Sequence, residues 1–243
     1  MKISDLFEKF DRYELHDLTA PKSSEIDQIK STEHLVKVIE ENCSEMLNAY
    51  RKTGKVLYRG MNVAGLASNQ KIDIPTSTAL ITGIRTDRRP VQMGEFEHEQ
   101  LDRAFRDLGI NTTRKNSIFV SAQQEVASVW GKSFVVFVKD GWEGMAFKES
   151  KNTYSFYNLQ SLSRDFYYEV NRVRTPKNKQ KAYEEFKYKI SDLGPFSFKN
   201  TDGLVPILED DYYEALISGD SYIAVRLPYF RKVLAQQLGI EVR

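Results

Sequence analysis

The chain lacks the features that announce most protein classes. It has a single cysteine, Cys43, in 243 residues, so no internal disulfide can form. Its three histidines, His16, His34 and His98, are scattered without the spacing of a zinc ligand set, and no metal is expected. The longest uninterrupted apolar run is Phe134 to Val138, far below the roughly 20 residues a spanning helix needs, so no membrane segment is expected. The first residues, MKISDLFEKFDRYE, alternate in charge and carry no apolar stretch. They do not read as a secretory leader, and a cytoplasmic location is expected. Neither sign of charge dominates: 35 Lys and Arg face 34 Asp and Glu, a net of +1. That balance argues against a chain coated in nucleic acid, although it hides local patches. Among the 13 glycines no two are separated by one residue, which removes the dinucleotide fingerprint G-x-G-x-x-G. A G-x-S-x-G elbow and a P-loop are missing too.

What is present is an ordinary globular composition, 41% hydrophobic and 28% charged, with aromatic residues at 12%. A sizeable core follows, and most aromatics belong to it. Helical periodicity covers Ile3, Leu6, Phe7, Phe10 and Tyr13. A second stripe of Leu35, Ile39, Cys43, Met46 and Tyr50 opens at Ser31 or Thr32. Cys43 lies on that stripe and reads as a small core residue. Residues 1–54 are thus expected to be a helical region, and 55–243 a mixed body of strands and helices.

In that body Lys55 to Gly60 is a short β-prone run ended by glycine. Glu95 to Leu108 reads as a helix stopped by Gly109, and Ser117 to Ser121 as a strand passing into a short helix. Ser133 to Val138 is the most strand-like run, closed by Lys139-Asp-Gly-Trp as a hairpin-type turn. Thr175 to Leu193 is a long charged helix. Tyr212 to Ile217 and Tyr222 to Leu227 flank Ser218-Gly-Asp-Ser221, which reads as a two-residue hairpin loop, and Pro228 opens the last helix. Helices first and a mixed body after them give α+β.

Three features in this body carry chemistry. Tyr58-Arg59-Gly60 ends a strand with a guanidinium that can clamp an anion and a glycine that lets backbone approach a ligand; it can also be a plain strand end. Ser121 closes its strand and can either cap the next helix or hold a carboxylate. Glu214 lies in Tyr212-Tyr213-Glu214-Ala-Leu-Ile, where strand alternation puts Tyr212 and Glu214 on one face about 6.8 Å apart along the chain.

In this order and spacing the three resemble the ADP-ribosyltransferase family, in its arginine-serine-glutamate class of cholera-toxin-like toxins and phage or bacterial enzymes. The resemblance runs from about Val56 to Val225 and is most specific over Ser117 to Gly141. It implies two packed, mixed or antiparallel sheets around an NAD cleft, with NAD as substrate and no metal. It also implies that Arg59 holds the pyrophosphate or ribose side, Gly60 offers its backbone to the nicotinamide carboxamide, Ser121 steadies the glutamate and Glu214 is the catalytic carboxylate. The chemistry agrees, because breaking the nicotinamide–ribose bond develops a ribosyl cation that a fixed carboxylate stabilises.

Two positions depart from the family pattern. Its Ser-Thr-Ser motif is Ser121-Ala122-Gln123 here, and the glutamate that arginine-modifying members carry two residues before the catalytic one is Tyr212. A phenol with a pKa of about 10 is no base at neutral pH, so the acceptor is expected not to be arginine, and Tyr212 is expected to stack on it. Phe134, with Phe147 and Tyr154 behind it, is a candidate to stack on nicotinamide or to pack in the core. Arg85 to Pro90 either closes over NAD phosphates or forms a surface turn. Arg172, Arg174, Lys177, Lys179 and Lys181 follow the aromatic run Phe166-Tyr167-Tyr168; they form either a solvated helix start or a nucleic-acid contact.

The resemblance thus implies a mono-ADP-ribosyltransferase acting on a macromolecule, host protein or nucleic acid, in the host cytoplasm if phage-encoded. An inhibitory antitoxin would then be a natural partner. NAD glycohydrolysis, and a non-catalytic binding or virion-associated protein that keeps the fold, are the alternatives.

Overall fold

The structure is a computed structural model that describes residues 27–29, 31–61, 79–84, 86, 94–148, 155–212 and 214–242. The expected helix at Ile3 to Tyr13 lies outside them. The chain begins with β1 (Asp27–Ile29), α1 (Thr32–Asn42), α2 (Ser44–Thr53), β2 (Tyr58–Met61), β3 (Ala79–Gly83) and α3 (Glu95–Asp107). There follow β4 (Ser117–Val120), α4 (Gln124–Ser128), β5 (Lys132–Val138), β6 (Glu143–Phe147), α5 (Ser155–Arg172), α6 (Pro176–Asp192) and β7 (Pro195–Phe198). The last elements are α7 (Asn200–Glu209), β8 (Ala215–Ser218), β9 (Ser221–Arg226) and a helix α8 built from Leu227–Tyr229, a π turn at Phe230–Leu234, and Ala235–Gln237.

The strands make two antiparallel sheets, β1-β3-β9-β5-β2 and β4-β8-β6-β7, an α+β architecture. One face of the first sheet carries Phe137, which packs edge-on against Tyr50 of α2 and against Phe230 of α8. Its opposite face and the Ile118, Val120, Ala215 and Ile217 face of the second sheet join the same core. Strand alternation sends Leu216, Met145 and Phe147 the other way, into a second core with Leu101 and Phe105 of α3, Phe166 of α5 and Phe186 of α6. The layers therefore run helices, sheet, sheet, helices. Among the described residues no helix is long and apolar enough to cross a membrane.

The stripe read from Leu35 to Tyr50 is buried throughout, but it belongs to two helices that break at Cys43 and share the core of residues after 55. Asp140, on the turn after β5, supplies the second helix with its cap by accepting from Ser44 N at 3.0 Å, Ser44 Oγ at 2.6 Å and Glu45 N at 2.9 Å. Asp140→Ala is expected to cost about 1–2 kcal/mol, read as a lower urea midpoint with unchanged slope.

Both expected hairpins are corrected. The turn after β5 leads into β6 of the other sheet, and Gly219-Asp220 likewise joins β8 of one sheet to β9 of the other. Primed hairpin turns need positive φ at their first central residue; Asp140 and Gly219 do not have it, and only Gly141, the second central residue of the first turn, does, at 88°. These corners turn the chain between sheets instead of folding it back on itself.

Candidate functional site

The two sheets meet at their edges. β2 is the edge of one and β4 the edge of the other, and a single antiparallel bridge joins them. Tyr58 N donates to Ser121 O at 2.7 Å and Ser121 N to Tyr58 O at 2.8 Å. Beyond Ser121 the chain turns away into α4, and a cleft opens beside the bridge. Tyr58, Arg59, Gly60, Phe119, Val120, Ser121, Val126, Ala127, Trp130 and Glu214 line it, with a volume of about 250 Å³ counted to its open mouth. Four residues singled out from sequence, Arg59, Gly60, Ser121 and Glu214, are thus brought to one place.

Arg59 points into the space between the sheets. Its Nη1 donates to Phe119 O at 3.0 Å and its guanidinium lies 5.7 Å from the Tyr222 ring centre. Its Nε is buried without a hydrogen-bond partner, a donor with capacity left for a ligand. The ladder sets the direction of the Gly60 peptide groups. Val136 N donates to Leu57 O, which makes Leu57 and Arg59 the residues that bond to β5. The peptide groups of Tyr58 and Gly60 then point the opposite way. Those of Tyr58 are used by Ser121, and those of Gly60 turn to the cleft on the Phe119 side, where no bridge among the described residues continues the Tyr58–Ser121 pairing.

Ser121 is buried. Its Oγ accepts from Gln123 N at 2.9 Å and lies 3.4 Å from Tyr212 O, to which it donates. Ala122 N also donates to Tyr212 O, at 2.9 Å, and Gln123 Nε2 to Asp211 O at 2.8 Å. The serine loop therefore fixes the backbone just before Glu214. Its hydroxyl is not the cap of α4, whose N-cap residue is Gln123.

Glu214 is 6% exposed. An ionised carboxylate so deep needs compensation, and Arg114 interacts with it electrostatically. Burial draws the Arg114 guanidinium below the usual arginine range, while Glu214 and then Asp102 oppose that shift. Arg114 sits over the Phe119 ring at 5.4 Å, so Phe119 meets one arginine with its ring and Arg59 with its carbonyl. The turn that presents Arg114 is held by Thr113 N donating to Asn116 Oδ1 at 2.8 Å and Asn116 Nδ2 donating to Asn111 O at 3.0 Å. Sequence reasoning missed Arg114 and Asp102, because an Arg-Lys-Asn turn and a mid-helix aspartate both read as surface.

Asp102 is buried on α3, 3.7 Å from His98 Nδ1. Desolvation pushes its pKa up to about 6, against a hydrogen bond from Thr113 and the charges of Arg106, Lys115 and Arg114. A carboxyl whose folded pKa exceeds its unfolded one stabilises the fold most when protonated, and that contribution is lost as pH rises from about 4 through 6. Asp102→Asn is therefore expected to melt higher than the wild type at pH 7.5 and level with it near pH 4, by thermal unfolding at both values.

The other expectations fall elsewhere. Tyr212 and Glu214 do not share a strand face, because β8 starts only at Ala215. The Tyr212 ring, 5% exposed, packs edge-on against Phe196 at 6.0 Å in the inter-sheet core and does not line the cleft. Phe134 is paired with Arg59 across β2 and β5 and shares its face, but it is 2% exposed and backs the cleft from within the core. Phe147 is fully buried beside Phe105. Cys43 is buried, with its thiol pushed up to about 12 by desolvation and then by Asp140. Tyr154 and, Thr86 apart, the Arg85 to Pro90 stretch lie outside the described residues.

Among the described residues no group of His, Cys, Asp and Glu could hold a metal ion. No family model, curated protein or solved structure matches the chain.

Proposed function

We propose that this chain is a mono-ADP-ribosyltransferase of the arginine-serine-glutamate type, which transfers ADP-ribose from NAD to a macromolecular acceptor other than arginine. The observation that carries the reading is the convergence of Arg59, Gly60, Ser121 and Glu214 on one cleft at the seam between two sheets. These residues are more than 150 positions apart at the extremes, and the resemblance assigns each a part in one reaction.

Gly60's peptide groups can pair with the carboxamide, and Arg59 Nε is available to the ribose or pyrophosphate side. In the reaction the glycosidic C–N bond breaks and nicotinamide leaves with the electron pair. Glu214, charged and held by the Ser121 loop, stabilises the ribosyl cation. An acceptor nucleophile then bonds to the anomeric carbon and releases its proton to water.

The test is incubation with NAD labelled in the adenosine half and a host lysate, with Glu214→Gln in parallel. Label on macromolecules from the wild type alone supports the reading; equal labelling by both proteins overturns it. Nicotinamide release without macromolecular label assigns water as the acceptor and makes the protein an NAD glycohydrolase.

A further inference from the structure

We propose that the tip of the α5–α6 hairpin binds single-stranded nucleic acid through its unpaired cations and exposed tyrosines. That the bound strand is also the acceptor presented to the cleft rests on the transferase reading above.

The ten residues from Arg172 to Lys181 carry five cations and no anion. Arg172, Arg174, Lys177, Lys179 and Lys181 are all exposed. Only Lys181 has an ion pair among the described residues, at 3.6 Å to Glu185 on the solvent face. The arrangement costs stability on its own. Lys177 and Lys179 occupy the first turn of α6, which holds no acidic residue, and a helix N-terminus disfavours cations. A polyanion across this turn relieves both the dipole and the mutual repulsion.

Aromatic rings complete the surface. Tyr168, 57% exposed, stands one helical turn before Arg172, and Tyr167 lies edge-on to it at 5.7 Å. Tyr167 also meets Phe96 of α3 edge-on at 5.9 Å, and Phe96 stacks on Phe166. Tyr188, 71% exposed, lies on the Lys181 side of α6. Exposed flat rings beside unpaired cations suit unstacked bases and their phosphates; a duplex offers no free base faces. Asp165 and Glu169 on α5, with Glu95, Glu97 and Glu99 on α3, stand within four residues of these rings in sequence, and like charge directs phosphates to the tip instead.

Phe96 connects the ring cluster to the site through α3. α3 carries Phe96 at its start and Asp102 about 9 Å further along, and Asp102 interacts with Arg114, the neighbour of Glu214.

The test is fluorescence anisotropy of the full chain, as Glu214→Gln and without NAD, with a fluorescein-labelled 20-nucleotide mixed-sequence RNA and its DNA equivalent. Binding is expected at 50 mM salt, at least tenfold tighter than to the duplex. Arg172→Gln/Arg174→Gln/Lys177→Gln/Lys179→Gln is expected to weaken it at least tenfold and to reduce the slope of log K against log salt by about 3. Tyr168→Ala is expected to weaken it about tenfold with the slope unchanged. These positions are exposed, and unchanged circular-dichroism melts confirm that both variants fold. No binding, equal binding of duplex or heparin, or no effect of Tyr168→Ala overturns the proposal. None of these results depends on catalysis, so each leaves the transferase reading standing. Adenosine label found only on protein in the lysate assay, with oligonucleotide binding intact, overturns the acceptor role alone.

Discussion

Glu214→Gln is expected to reduce ADP-ribose transfer by about 10³-fold while leaving the fold and NAD binding in place. The magnitude follows from what the side chain does. A charge aimed at a developing opposite charge in a dry site is worth roughly 10²–10³ in rate, and Glu214 is nearly closed off from water. Glutamine keeps the shape and loses only the charge. Arg114 then retains Asp102 as an electrostatic partner, so the buried guanidinium is not stranded. The control separates chemistry from binding. NAD should raise the melting temperature of wild type and Glu214→Gln alike, since a ligand of the native state stabilises it. Arg59→Ala should lose that rise, because it removes the guanidinium whose Nε has no internal partner. If Glu214→Gln still transfers label at a tenth of the wild-type rate or more, the carboxylate is not the catalytic group.

How much of this was legible in the sequence differs from residue to residue. The strand ending in Arg59-Gly60 and the strand that turns at Ser121 into a helix could be read because each is a local pattern within a few residues. Pairing could not. Gly219-Asp220 has the composition of a hairpin loop, yet its backbone takes no positive φ and the flanking strands go to different sheets. The register that aims Gly60's peptide groups at the cleft depends on β5, more than 70 residues later. α7 contains Gly203 and Pro206 within ten residues, both breakers by local rule. Burial of Leu204, Val205, Ile207 and Leu208 outweighs them. Tyr212 does not share a face with Glu214 for a related reason. The alternating pattern begins at Tyr212, three residues before the strand does at Ala215, and without the pleat its ring turns into the core.

Gly60→Ala is expected to destabilise the protein by about 3 kcal/mol and to abolish NAD binding, although it adds one methyl group. A Cβ at this position would stand 2.0 Å from Ala127 O, 2.7 Å from Trp130 Cβ and 2.9 Å from Trp130 C. Two of these are main-chain atoms that no rotamer change can move. α4 must therefore withdraw from β2 as a body, and overpacking of that kind costs about 1–3 kcal/mol or more. Its withdrawal also displaces Val126, Ala127 and Trp130, three walls of the cleft. The loop that precedes α4 is the one whose Ser121, Ala122 and Gln123 bonds fix the backbone before Glu214, so the strain passes to the carboxylate. At this chain length about 3 kcal/mol corresponds to a drop in melting temperature of roughly 10 °C. Gly203→Ala is the matching control. Its Cβ would approach no atom closer than Phe198 Cβ at 3.3 Å, and alanine is the better helix former, so its melting temperature should change by a few degrees at most. A Gly60→Ala protein that melts with the wild type and still gains stability from NAD would mean that α4 moves freely, and that the close contact with Gly60 does not shape the cleft.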